Sequence, residues 1–204
     1  MKSKIAVLVS GGGTNLQAII DACGRGEIRS GEIALVISNK ADAYALERAR
    51  KAGIPAEVVL KNGDQAAFEA RIKDLLREYR IDLIVLAGFM AILSADFTRN
   101  YPRRIINVHP SLIPSFCGKG FYGLRVHEAA LAYGVKVTGA TVHFVNEIPD
   151  GGEIILQKAV RILENDTPKT LQKRVMRLAE WKILPQAVET VCARINENQQ
   201  EESV

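Results

Sequence analysis

The sequence predicts an α/β fold with a mostly parallel sheet, and three observations carry that prediction. Apolar runs with strand character alternate with segments of helical periodicity, the pattern of parallel strands joined by helices. The runs are apolar at nearly every position, as strands covered on both faces are. Past Gly134 the alternation stops and two β-rich segments follow each other across a tight turn, which predicts an antiparallel part at the C-terminal side.

Element by element, residues 5–9 read as a buried strand running into glycines. Leu16, Ile19, Ile20 and Cys23 then recur at helical spacing. Residues 33–37 are a second strand, and residues 41–52 a helix with Leu46, Ala49 and Ala52 on one face, closed by Gly53. Residues 57–60 form a short strand, and Phe68, Ile72, Leu75, Leu76 and Tyr79 mark the next helix. Residues 83–87 and 105–108 are two more buried strands. Residues 135–145 and 154–160 are the β-rich pair, with the turn Pro149-Asp150-Gly151-Gly152 between them. Thr167-Pro168 reads as an N-cap with proline at the first helical position. The long final helix is expected to bend or break near Pro185, and the polar tail 196–204 to fray. The expectation is one Rossmann-like domain over residues 1–195, with helices on both faces of the sheet.

Composition narrows the function classes. A chain of 204 residues, 48% apolar, suits one domain with a sizeable core. It has no apolar run of about 18 residues, so no membrane-spanning helix is expected. The first apolar run is too short for a signal peptide. Cys23, Cys117 and Cys192 are scattered and form neither a disulfide framework nor a zinc pattern, which fits a reducing cytoplasm. No compact ligand cluster points to a metal. The net charge of +4 is spread along the chain without a basic, aromatic-rich stripe. Anionic small molecules are expected as partners, with neither nucleic acid nor membrane, in a monomer or homodimer.

Ser10-Gly11-Gly12-Gly13-Thr14-Asn15 lies between the first strand and the first helix, where open α/β sheets place ligands. Its glycines let backbone N–H groups approach an anion, and the helix N-terminus adds unpaired donors. A dinucleotide fingerprint would need a third glycine where Leu16 stands, and a nucleotide P-loop a Gly-Lys-Ser/Thr ending. A monophosphate fits better. The competing reading is a tight turn without a ligand.

Asn107 and His109 alternate on one face of a strand at its carboxyl end, with Pro110 favouring extended backbone at His109. An amide donor beside an imidazole can hold and polarise a carbonyl oxygen, and the imidazole can move protons near neutral pH. The alternative is a strand-end histidine satisfied by backbone. Asp150 sits in an Asp-Gly turn, and its sequence context alone argues only for the turn. A carboxylate near His109 would favour imidazolium. His143 reads as a strand residue, His127 as exposed on a helix, and Trp181 as core or helix surface. Cys117-Gly118-Lys119-Gly120 follows His109 closely enough to border a site, although no base or helix start activates the cysteine.

Together these motifs resemble glycinamide ribonucleotide formyltransferases, folate-dependent enzymes of purine synthesis. The likeness runs from Ile5 to Val191 through Ser-Gly-Gly-Gly-Thr-Asn-Leu-Gln, Leu-Ala-Gly-Phe-Met at 86–90, Asn-Val-His-Pro-Ser-Leu-Ile-Pro at 107–114, and Gly-Ala-Thr-Val-His-Phe-Val at 139–145 leading to Asp150. The resemblance implies formyl transfer from 10-formyltetrahydrofolate to the ribonucleotide's glycinamide amine through a tetrahedral intermediate. It implies that Asn107 and His109 stabilise the oxyanion, and that Asp150 keeps His109 charged and helps pass the proton. Gly12, Gly13, Thr14, Asn15 and Glu180 would hold the ribonucleotide. Phe89, Met90, Ala91, Ile92 and Leu93, with Asn107, Val145 and Glu147, would border the folate. Ala91 and Gln65 stand where arginines that meet the folate's acidic tail are frequent; Lys61, Lys119 and Arg125 are candidates to replace them. Trp181 replaces a frequent histidine, and one additional residue precedes Glu180.

Two other readings share parts of this pattern. Formyltetrahydrofolate deformylases resemble the same core but deliver the formyl group to water. They usually carry an extra N-terminal domain, which is not expected here because Ile5 begins the first strand. Methionyl-tRNA formyltransferases usually add a C-terminal domain that grips tRNA. A non-enzymatic phosphosugar binder would use the glycine loop without needing Asn107, His109 and Asp150.

Overall fold

The computed structural model describes residues 2–201. Strands β1 (Ser3–Val9), β2 (Gly31–Ser38), β3 (Ala56–Val58), β4 (Leu83–Leu86) and β5 (Ile105–His109) pair in parallel. Strands β6 (Val137–Phe144) and β7 (Ile154–Arg161) add antiparallel, giving the order β3-β2-β1-β4-β5-β6-β7. Among the described residues seven α-helices surround the sheet: α1 (Thr14–Gly24), α2 (Tyr44–Lys51), α3 (Gln65–Glu78), α4 (Ala95–Arg99), α5 (Leu124–Tyr133), α6 (Pro168–Val175) and α7 (Trp181–Glu201). The predicted mixed sheet, with its antiparallel C-terminal side, is the one observed.

The period of two along each strand divides the apolar residues between two cores. Ile5, Val7 and Val9 of β1 face a core shared with Leu16 and Ile19 of α1 and Leu184 and Val188 of α7. Ala6 and Leu8 face the opposite core, built with Phe68, Ile72 and Leu75 of α3 and Phe97 of α4. Continuous apolar runs in the sequence therefore report burial on both faces. Helix starts follow the side chains that can cap them: Asp64 accepts from Ala67 N, and Ser94 from Phe97 N. Thr167 forms a reciprocal capping box with Thr170, ahead of Pro168.

The chain moves outward from β1 to β2 and β3, then returns to lay β4 on the other side of β1. Loops leaving the carboxyl ends of β1 and β4 therefore diverge, and a crevice opens between them. Ser10 Oγ ties its two lips by accepting from Met90 N at 2.8 Å.

Two expectations about the C-terminal region are corrected. Pro185 lies inside α7 without breaking it. As the fifth residue of α7 it forgoes only the bond to the first carbonyl of that helix. The irregularity falls earlier, in a π-helical turn at Met176–Glu180. A π turn holds an extra residue, which accommodates the additional position before Glu180. The polar segment expected to fray instead continues α7 through Glu201. Asn196 anchors it, donating to Ser30 O at 2.8 Å and accepting from Ser3 Oγ at 2.7 Å. Residues 202–204 lie outside the described residues.

Candidate active site

Strand register assembles the first half of the site. Asn107 on β5 pairs with His143 on antiparallel β6, and His109 pairs with Thr141. Directly paired residues share a face, so all four side chains stand on one side of the sheet. Asn107 Nδ2 donates to His143 Nε2 at 3.2 Å. His143 Nδ1 lies 2.8 Å from Phe144 O, an acceptor only, so Nδ1 carries the proton and Nε2 presents its lone pair. By the same argument His109 Nε2, 2.9 Å from Phe116 O, is the protonated nitrogen of that ring, and Nδ1 is bare.

Asp150 closes the cluster. The turn carrying it takes a left-handed backbone at Asp150 (φ 56°) and brings the carboxylate between the two rings. Oδ2 lies 3.4 Å from His109 Nδ1, and Oδ1 lies 3.6 Å from His143 Nε2. Gly118 N donates to Oδ2 at 2.8 Å, which brings the predicted loop after His109 to the site's border. Burial pushes the Asp150 carboxyl up, but the neighbouring His143 and His109 imidazoles and the Gly118 N–H together hold it below the ordinary carboxylate range. Burial lowers His109, and Asp150 and Phe116 O only partly restore it, so its pKa stays below the ordinary 6.5. Burial thus opposes the charged imidazolium of His109, and Asp150 favours it. The Asp150 carboxylate thus lies between His109 Nδ1 and His143 Nε2, where a proton on either nitrogen would meet a negative charge.

At the other lip, the N–H groups of residues 11–15 have no protein acceptor among the described residues. Asn15 Nδ2 donates to Glu180 Oε2 at 2.8 Å, while Asn15 Oδ1 is buried without a partner. Full burial pushes the Glu180 carboxyl up to about 7, and the bond from Asn15 counters only part of that rise. Near neutral pH, Glu180 therefore does not place a full negative charge beside the loop. The π turn delivers Glu180 to this position at the start of α7.

The segment 89–93 follows β4 at the crevice. Phe89, Ala91, Leu93 and Val145 pack on the core beneath it, while Met90 and Ile92 are exposed at 50% and 72%. Glu147 and Ile148, beyond Val145, are also exposed. Gln65 does not reach outward: it donates to Ile92 O at 3.1 Å and bonds Glu69, and Glu69 in turn accepts from Ser94 N and Oγ. Its role is to brace this segment from below.

Several residues differ from their sequence reading. His143, read as a plain strand residue, belongs to the cluster. Its one sequence signal is alternation with Thr141, and its partner is set by long-range pairing. His127, read as exposed, is fully buried on α5 with neither ring nitrogen partnered. Burial, with a smaller contribution from His109, pushes its pKa down to about 4. Between pH 6.5 and 4 the unfolded chain binds a proton that the folded chain refuses. Stability should fall over that window as pH drops, by up to about 3 kcal/mol. His127→Leu should flatten this part of the pH–stability curve and cost little at pH 7, because it also removes two unpaired polar atoms. Denaturant unfolding at several pH values checks it; an unchanged slope would count against a neutral buried His127. Among the described residues, no group of three or more His, Cys, Asp or Glu is placed to hold a metal, and no helix is long and apolar enough to cross a membrane.

Known proteins show the same architecture. The trifunctional purine biosynthetic protein adenosine-3 of Bos taurus is 47% identical over 204 residues, covering 97% of this chain and 19% of that protein. This chain therefore spans about a fifth of that relative. The phosphoribosylglycinamide formyltransferase of Haemophilus influenzae is 47% identical over 184 residues, 89% of this chain and 84% of its own length. The crystal structure of glycinamide ribonucleotide transformylase 1 from Symbiobacterium toebii superposes with a TM-score of 0.87 at 44% identity, covering 94% of this chain and 88% of that one. The formyl transferase family model matches residues 3–188, a span that includes both lips of the crevice and the Asp150 turn. The chain belongs to the formyl transferase family.

Proposed function

We propose that the chain transfers a formyl group from 10-formyltetrahydrofolate to the amine of 5-phosphoribosylglycinamide, a step of de novo purine biosynthesis. The observation that carries this reading is the Asp150 carboxylate set between His109 Nδ1 and His143 Nε2 beside Asn107, at the sheet edge that also bears the glycine loop. The loop's free N–H groups take the substrate phosphate, with Gly12, Gly13, Thr14 and Asn15 as its holders. Asn15 Oδ1 and the partly protonated Glu180 meet the sugar. The exposed apolar side chains of Met90, Ile92 and Ile148 offer a surface for the flat folate ring, between the segment 89–93 and the turn that follows Val145.

The amine attacks the formyl carbon, the C–N bond forms, and the carbonyl π electrons move to oxygen. Asn107 keeps one Nδ2 hydrogen on His143 and directs the other to this oxyanion. His109 Nε2–H joins it by exchanging the Phe116 carbonyl for the substrate oxygen. The amine's proton passes to the His109–Asp150 pair, and the carboxylate stabilises the imidazolium so formed. When the intermediate collapses, the C–N10 bond breaks and N10 takes that proton. Water in place of the amine would give deformylation. Hydrolysis has no use for a phosphate-holding loop, so the unpartnered N–H groups of residues 11–15 favour the phosphorylated acceptor. The reading places the enzyme in a reducing cytoplasm, as a monomer or homodimer acting on small molecules without a metal.

Asn107→Ala and His109→Ala should each lower formyl transfer by about a hundredfold or more, with thermal unfolding little changed. Wild-type turnover in both variants would remove the assignment.

A further inference from the structure

Helix α2 holds the glycine loop from behind, and every carbonyl of the three glycines is already occupied. Gly11 O accepts from Ala45 N at 3.0 Å, Gly12 O from Arg48 Nε at 2.8 Å, and Gly13 O from Gln17 N at 2.9 Å. The fit leaves no slack: a Cβ on Gly13 would lie 2.6 Å from Ala45 Cβ and 3.3 Å from Arg48 Cδ. Carbonyl oxygens repel an anion and N–H groups attract it. Which set faces the crevice decides whether a glycine loop accepts or rejects a phosphate. Glycine imposes little preference of its own, so the orientation must be fixed from outside.

Arg48 is shaped for that task. While Nε holds Gly12 O, Nη1 donates to Gln17 Oε1 at 3.0 Å, so one rigid fork spans the loop and the first turn of α1. The guanidinium carbon lies 5.1 Å from the Tyr44 ring centroid, which braces it further. Among the described residues no carboxylate forms an ion pair with Arg48; Asp21 reaches it only through Gln17, whose Nε2 donates to Asp21 Oδ1 at 2.8 Å. It also lines a cavity of ≈ 260 Å³ that begins at Thr14 and is bordered by Gln17, Trp181 and Lys182.

We infer that Arg48 is a positioning residue for phosphate binding: by holding the Gly12 carbonyl it turns the loop's N–H groups toward the anion, and its charge lies behind them. This inference rests on the phosphate reading of the loop proposed above. It touches no reacting atom, so it acts on substrate binding and leaves the chemical step alone.

Inorganic phosphate, used as an inhibitor competing with glycinamide ribonucleotide, reads the loop directly. In Arg48→Met, the KM for the ribonucleotide and the inhibition constant for phosphate should rise together, by about tenfold or more. Turnover at saturation and the KM for 10-formyltetrahydrofolate should stay at wild-type values. Arg48→Lys keeps the charge but not the fork, and should recover less than half of the lost affinity on a logarithmic scale; it also serves if the methionine variant does not fold. Unchanged phosphate inhibition in Arg48→Met overturns the inference, as does full recovery by lysine, which would leave charge alone as the cause. If phosphate does not compete even in the wild type, the phosphate reading of the loop fails first, and the role of Arg48 with it.

Discussion

Asp150→Asn is expected to lower turnover by about a thousandfold while leaving the fold intact. Asparagine fills the same space and can still accept from Gly118 N, so the turn has what it needs. What it lacks is the charge that makes a proton welcome between His109 Nδ1 and His143 Nε2. The loss should appear in kcat more than in either KM, because the carboxylate matters most once the amine's proton arrives. The pH profile gives a second signature. In the proposed mechanism His109 accepts the proton and so starts neutral; burial holds it below the ordinary histidine value, so the acidic limb of the activity profile should lie below that of a free histidine. Asp150 is one of the influences raising His109. Removing it should move the acidic limb of the profile to still lower pH. Asp150 itself, held below the ordinary carboxylate range, stays ionised across this window.

Gly152→Ala should be nearly as damaging, for a steric reason. A Cβ there would sit 1.7 Å from Phe144 O and 2.7 Å from Phe144 C. Both atoms are backbone at the end of β6, so no side chain can swing away to make room. Either β6 shifts, taking His143 with it, or the turn opens and Asp150 leaves its place between the rings. Displacement by about 1 Å suffices to cost a hundredfold in rate, and the strain should cost about 3 kcal/mol or more of stability. Gly24→Ala is the matched control: nothing lies within 4 Å of its added Cβ, and the substitution should leave rate and stability nearly unchanged. Equal behaviour of the two variants, read by turnover and thermal unfolding, would contradict the steric account.

How much was legible beforehand depended on the range of the interactions. The parallel strands announced themselves because Ile5–Val9 and Leu83–Leu86 are covered on both faces, and burial on both sides leaves an uninterrupted apolar run. Asn107 and His109 were legible because their relation is local, two residues apart on one strand. His143 was not, because it meets Asn107 through antiparallel register across 36 residues, and a lone strand histidine carries no spacing to read. Read from its own residues, Asp150 was only a turn residue, and the family resemblance alone pointed to chemistry: the left-handed backbone that aims it into the site is also what an Asp-Gly turn favours. His127 misled because helical periodicity alone did not reveal that α5 buries that face. Pro185 misled because the winding change was absorbed one turn earlier, where an extra residue made a π turn. The charge of His109 depended on the balance of burial against Asp150, a contest that sequence cannot weigh.

The central claim is that this crevice delivers a formyl group to a phosphorylated amine and not to water. Purified protein supplied with 10-formyltetrahydrofolate, with and without glycinamide ribonucleotide, tests it directly when folate product and formylated ribonucleotide are both quantified. The account predicts folate release only when the ribonucleotide is present, with one formylated product for each folate released. Equal folate release without the ribonucleotide, or release with no formylated ribonucleotide, would contradict it.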